Sequence, residues 1–207
     1  MGRSDDWNEY YDVAAKGAPR GTLILALDLF DAEPAPAGGR LAVDLGCGEG
    51  RDTVELLRRG WQVLAIDSEA PAIERLLARP GLADDDRLTT MVSRFEEAEW
   101  QSAALVNASY ALPFCPPGAF PAVWERIVSS LRPGGRFCGQ LFGERDEWSS
   151  EPGLSFQRRA EVESLLGPFE VERLDEVEED GSTAVGDPKH WHLFHIVARK
   201  ALARDAG

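Results

Sequence analysis

The sequence predicts an α/β fold, a doubly wound and mostly parallel sheet with helices on both faces. Three observations carry this expectation. Residues 41–67 read as strand, glycine-rich turn, helix and strand. Short apolar runs and helical patterns then alternate down the chain, as repeated βα units require. Finally, residues 169–178 and 191–198 form two apolar runs around an acidic, glycine-containing loop, the pattern of an antiparallel hairpin.

The first unit is the most explicit. Leu41, Ala42 and Val43 lie between Arg40 and Asp44, as in a strand buried on both faces. Gly46, Gly48 and Gly50 let the backbone turn tightly and approach a ligand with no Cβ in the way. From Arg51 the spacing of Val54, Leu57 and Arg58 is helical until Gly60 stops it, and residues 61–66 form a second strand that ends on Asp67. An acidic residue there is placed to accept hydrogen bonds from the two hydroxyls of a ribose, because such folds bind ligands at the carboxyl ends of their strands.

Before this unit, residues 5–30 suggest two helical pieces joined by residues 16–19, and residues 33–39 a linker. Trp7, Tyr10 and Tyr11 cluster in the first piece, as aromatics that pack a peripheral helix onto the sheet. After it come a helix over 70–78 with Pro71 in its first turn, a strand over 88–92 and a short strand over 103–106. A helix over 119–130 follows, then a Pro-Gly-Gly turn into a strand over 137–142, and a helix over 159–166 ended by Gly167.

Composition narrows the class. The 207 residues suit one domain, taken as 1–207 with a helical cover over 1–36 and a core over 40–200. The net charge of −14 and the scattered basic residues argue against a nucleic-acid partner. No apolar run approaches the roughly 20 residues that span a bilayer, and the acidic, aromatic start is unlike a signal peptide. Three cysteines without metal-ligand spacing suggest reduced thiols in the cytoplasm, and no metal site is expected. The clusters at 84–86 and 176–180 read as solvated acidic loops.

Three readings compete for the glycine turn: a structural βα turn, a dinucleotide site and a sulfonium-nucleotide site. The dinucleotide fingerprint G-x-G-x-x-G wants its third glycine where Arg51 stands. Residues 43–50, VDLGCGEG, resemble motif I of the class I S-adenosylmethionine (SAM)-dependent methyltransferases, (V/L)-D-x-G-x-G-x-G. The run from Leu131 to Phe137 is similar to that family's L-x-P-G-G turn. Arg51 and Asp52 after the turn, with the chain's small size, look like the bacterial enzymes related to tellurite-resistance methyltransferases.

The resemblance implies a Rossmann-like seven-stranded sheet of order 3-2-1-4-5-7-6, with strand 7 antiparallel. It also implies SAM as cofactor, a small-molecule acceptor or an inorganic oxyanion, and an N-terminal segment covering the substrate pocket, where Tyr10, Tyr11 and Arg20 are candidates to meet the substrate. Around the cofactor it places Asp44, Gly46, Cys47, Gly48, Gly50, Asp67 and Ser68. Phe95 would pack on the adenine, and Glu96 would serve its amine because Arg94 fills the usual acidic slot. Asn107 marks a backbone contact to the methionine moiety; Asn107 and Tyr110 also echo the ends of an N-P-P-Y motif whose prolines are missing here. Candidates for acid–base chemistry are His192, Asp146 and Tyr110, with Glu144, Arg145 and Trp148 in the same loop as Asp146. Strand alternation sends His192 with Phe194 to one face and His195 with Trp191 to the other, and packing on the last strand is the plainer alternative for both. A SAM-binding module without catalysis and a nicotinamide-dependent oxidoreductase are the rival functions.

Overall fold

The computed structural model describes residues 17–201. The expected cluster of Trp7, Tyr10 and Tyr11 lies outside them. The chain runs α1 (Gly21–Asp31), β1 (Leu41–Leu45), α2 (Arg51–Arg58), β2 (Gln62–Asp67), α3 (Ala70–Leu77) and β3 (Leu88–Val92). It continues with β4 (Ala103–Ala108), α4 (Phe120–Ser130), β5 (Leu131–Gly143), β6 (Phe156–Gln157), α5 (Arg159–Leu165), β7 (Phe169–Ser182) and β8 (Pro188–Lys200). Short 3₁₀ turns at Leu112–Phe114 and Glu147–Ser150 shape the loops after β4 and β5.

The strands are ordered β3-β2-β1-β4-β5-β8-β7, with β8 antiparallel to both β5 and β7. This is the expected order once one addition is counted: the two-residue β6 pairs parallel with the end of β5, making eight strands. Period-2 alternation divides the core between the two faces. Ala42, Val63, Ala65 and Leu105 pack under Leu23, Leu27 and Phe30 of α1, Leu56 of α2 and Leu76 of α3. Val43, Ile66, Val106 and Phe137 pack under Trp124 and Ile127 of α4 and Val162 of α5. α1 is therefore a layer of the sheet sandwich, and only the residues just before it reach the ligand edge.

Two local expectations are corrected. Residues 176–180 are not a loop but part of β7, where Glu178 faces His192 and Asp180 faces His190 in register. Acidic composition suggested solvent, but these acids gain cationic partners, as Arg145 bonds Glu178 at 2.9 Å and Glu176 at 3.1 Å. The Pro-Gly-Gly segment lies inside β5 as an irregularity: Leu131 pairs with Ala103, Arg136 with Leu105, and the register shifts between them.

Candidate functional site

A cavity of about 510 Å³ opens at the carboxyl ends of β1, β2, β3 and β4. Its size is within the range of small-molecule sites. Gly46 forms part of its wall with φ +67°, and a Cβ there would come within 2.5 Å of Ala111 Cβ and 3.6 Å of Phe95 Cζ. Only glycine lets the turn after β1 and the loop after β4 close together on the cavity. Asp67, at the end of β2, accepts the Gly48 N–H at 2.8 Å on one oxygen and the Glu69 N–H at 3.0 Å on the other. Burial raises its pKa above the ordinary carboxylate value. Each oxygen keeps a lone pair for a ligand hydroxyl.

Beneath the glycine turn runs a buried polar network. Asp44 and Asn107 are register partners on β1 and β4. Asn107 Nδ2 donates to Asp44 Oδ1 at 2.8 Å and to Asp52 Oδ2 at 3.1 Å, while Thr53 Oγ1 donates to Asp44 Oδ2 at 2.6 Å. Burial, then the nearby Asp52 charge, pushes the Asp44 pKa up to about 7. One amide thus ties the carboxyl ends of two strands to the start of α2.

Of the cofactor candidates, Asp44, Gly46, Cys47, Gly48, Asp67, Ser68, Phe95 and Glu96 line the cavity. Glu96 is paired with Arg94 at 3.0 Å. Gly50 and Asn107 are not on the wall. Gly50 has φ +89° and a Cβ there would fall 2.1 Å from Leu76 Cδ1, so it serves the packing of α2 against α3. Asn107 is fully buried and acts through Asp44 and Asp52.

The three acid–base candidates separate. Tyr110 lines the cavity. His192 and Asp146 do not line it. The His192 ring sits against Gly143, accepts the Arg145 N–H at 3.1 Å and lies 2.9 Å from Glu176. Asp146 is buried, receives the Lys189 ammonium and accepts the Trp148 N–H at 3.1 Å. Alternation on β8 sends the other face toward the ligand edge: Trp191 and His195 meet the Tyr110 ring edge-on at 6.4 and 6.5 Å. Glu144, Arg145 and Trp148 are likewise off the cavity wall. Among the described residues, no group of three His, Cys, Asp or Glu side chains could hold a metal ion. No helix among them is long and apolar enough to cross a membrane.

Sequence reasoning missed Asp52, which lines the cavity and reads locally as an ordinary acid in a helix's first turn. It also missed Gln140, buried on β5, whose Oε1 accepts the Tyr110 N–H at 3.0 Å. Lys189 gave no signal as a core residue. It is 3% exposed, with its ammonium 4.2 Å from the Trp148 ring centroid and 4.1 Å from that of Trp191.

Comparison with known proteins agrees with this geometry. Residues 42–135 match the family described as Methyltransferase domain. The carboxy-S-adenosyl-L-methionine synthase of Citrifermentans bemidjiense is 32% identical over 133 residues, covering 60% of this chain and 53% of that protein. The chain spans about half the length of the first curated relatives it matches. TehB from Haemophilus influenzae superposes with a TM-score of 0.67 at 15% identity, covering 84% of this chain and 61% of that one. The Burkholderia thailandensis 1,6-didemethyltoxoflavin-N1-methyltransferase with bound 1,6-didemethyltoxoflavin and S-adenosylhomocysteine superposes with a TM-score of 0.64 at 24% identity, covering 96% of this chain and 87% of that one. Over residues 42–135 the chain is thus similar to the methyltransferase domain family, and the solved structures share its fold.

Proposed function

We propose that this protein transfers the methyl group of SAM to a small-molecule acceptor. The observation that carries the reading is the meeting of the glycine turn and Asp67 in one cavity, through the 2.8 Å bond from Gly48 N–H to Asp67 Oδ2. The residues present fit this cofactor. Asp67 offers a carboxylate to the ribose hydroxyls, Gly46 and Gly48 leave room for the amino-acid tail, and Phe95 offers an apolar face to the base. Asp44, Cys47, Ser68 and Glu96 complete the cofactor side, with Gly50 and Asn107 holding the turn from behind.

When bound, SAM supplies a methyl group on a positively charged sulfur that is already an activated leaving group. The protein's part is then to align an acceptor in line with that bond and to exclude water. Tyr110 is the acid–base candidate that reaches the cavity, and it serves an acceptor that carries a proton at neutral pH. Within the described residues α1 packs on the core sheet, which supports reading the chain as one domain. The buried free thiols of Cys47, Cys115 and Cys138 support a cytoplasmic setting.

The test is an acceptor panel read by release of S-adenosylhomocysteine, with Asp67→Ala as the control. Turnover with one acceptor that fails in the variant supports the enzyme. Cofactor binding with no release against the whole panel favours a non-catalytic binding module, and a thermal shift with NAD but not SAM favours the oxidoreductase.

A further inference from the structure

A second cavity, of about 600 Å³, lies between α4, α5 and β6 and shares no lining residue with the first. Its size also suits a small molecule. It sits on the sheet face opposite α1, away from the glycine turn. The floor is aromatic. Phe120 and Trp124, one turn apart on α4, stack with their rings 8° from parallel and their centroids 6.3 Å apart. The indole is fixed in place: its Nε1–H donates to the Leu165 carbonyl at the end of α5 at 3.2 Å, and its ring meets Phe137 edge-on at 4.9 Å. Phe156 of β6 and Val128 of α4 extend the apolar wall.

Gln157 supplies the second observation. It lines this cavity, is 7% exposed, and its Oε1 has no hydrogen-bond partner among the described residues. A buried carbonyl oxygen left unpaired is destabilising and rare in native proteins, and an apolar side chain of the same length would avoid it. The amide is placed by β6 itself, whose two residues pair with the end of β5, Phe156 with Phe142 and Gln157 with Gly143. A strand this short has little to offer the sheet, but it sets one aromatic ring and one unpaired acceptor beside the stacked pair of α4.

The wall's other polar groups are Glu125, Glu161 and Ser164, and among the described residues no Lys, Arg or His lines it. Glu161 accepts the Arg158 N–H at 2.7 Å on Oε2, so its other oxygen remains for a ligand, and Glu125 is exposed at the rim. Aromatic faces attract cations, Trp most of all, while an amide oxygen and carboxylates accept N–H groups and offer none. An anion would find no counter-charge here. We infer that this cavity is a second ligand site, for a flat aromatic cation that carries N–H groups. Its ring lies on Phe120 and Trp124, one N–H meets Gln157 Oε1, and its charge faces Glu161 and Glu125. The inference does not depend on the methyl-transfer reading, because the two cavities have separate walls.

The test follows the Trp124 indole N–H signal in proton–nitrogen NMR spectra of the full chain, assigned with Trp124→Phe. The probes are benzamidine, phenyltrimethylammonium (a cation without N–H groups) and benzoate. The proteins are wild type, Gln157→Met, Glu125→Gln and, as a control for the first cavity, Asp67→Ala. Gln157→Met removes the unpaired oxygen and keeps the volume, so it should melt no lower than wild type. Benzamidine is expected to shift the Trp124 signal saturably, with equal affinity in wild type and Asp67→Ala. Gln157→Met should weaken it about tenfold, and Glu125→Gln by less. Phenyltrimethylammonium should bind wild type about tenfold more weakly than benzamidine, and benzoate should leave the signal in place. No shift with benzamidine overturns the site, as does equal affinity in wild type and Gln157→Met. Benzoate or phenyltrimethylammonium binding as tightly as benzamidine overturns the ligand chemistry. Binding lost in Asp67→Ala and kept in Gln157→Met puts benzamidine in the first cavity and overturns the second.

Discussion

Gly48 donates its backbone N–H to Asp67 Oδ2 at 2.8 Å, linking the turn after β1 to the last residue of β2. The contact orients the carboxylate that the ribose would meet. Removing that carboxylate loses charge-assisted bonds to two hydroxyls, a cost of about 2–4 kcal/mol in cofactor binding. Asp67→Ala is therefore expected to weaken S-adenosylhomocysteine by one to three orders of magnitude in calorimetry, with Asp67→Asn falling between the two.

Stability without ligand should respond to pH through two carboxyl groups of opposite sign. Glu55 is held down to about 2 from 4.5, first by its hydrogen bond to Arg58 and then by Arg59. The folded state therefore binds fewer protons than the unfolded chain, and the stability this gives is present above pH 4.5 and lost as pH falls toward 2. Asp44 is raised from 3.8 to about 7 by burial and by Asp52, so its folded form holds a proton the unfolded chain has released. Its contribution is lost as pH rises from about 4 through 7. Melting curves against pH should show both limbs. Asp44→Asn should abolish the upper one alone, and parallel profiles for variant and wild type over that window would remove the assigned shift.

Arg136 is fully buried between Glu33 and Glu172, bonding both with two N–H groups, and its guanidinium lies 4.4 Å from the Phe30 ring centroid. It joins the segment after α1 to β7 across the sheet. Arg136→Ala strands two carboxylates and opens a cavity, an expected loss of about 3–5 kcal/mol in urea unfolding. Arg136→Met, which keeps the stem on Phe30, should lose less.

The buried Lys189–Asp146 pair is enclosed by Phe142, Trp148 and Trp191. Breaking it from one side leaves a bare charge among rings, so Lys189→Met alone should cost about 3–5 kcal/mol. Lys189→Met combined with Asp146→Leu should recover much of that. A double-mutant cycle in denaturant, followed by tryptophan fluorescence, reads both values, and additive losses would show that the pair is uncoupled.

Local signals carried most of the fold. β3 and the starts of α2, α3 and α5 fall where periodicity, Pro71 and the glycine stops place them, because those constraints act within a few residues. The glycine turn and Asp67 were visible for the same reason. What escaped depends on contacts across the sheet. Asn107 meets Asp52 only because β1 and β4 are register partners, and nothing near either residue announces it. Lys189, in a Pro-Lys-His run, reads as a surface cation until three aromatics from β5, its following loop and β8 close around it. Strand alternation sends His192 to one face of β8 and sets Trp191 and His195 against Tyr110 on the other.

The most direct measurement is calorimetric titration of SAM into the wild-type chain and into Asp67→Ala. Saturable one-site binding to wild type, weakened at least tenfold in the variant, is the expected result. Equal affinity in the two proteins, or no heat of binding to wild type, would contradict the placement of the cofactor between the glycine turn and β2.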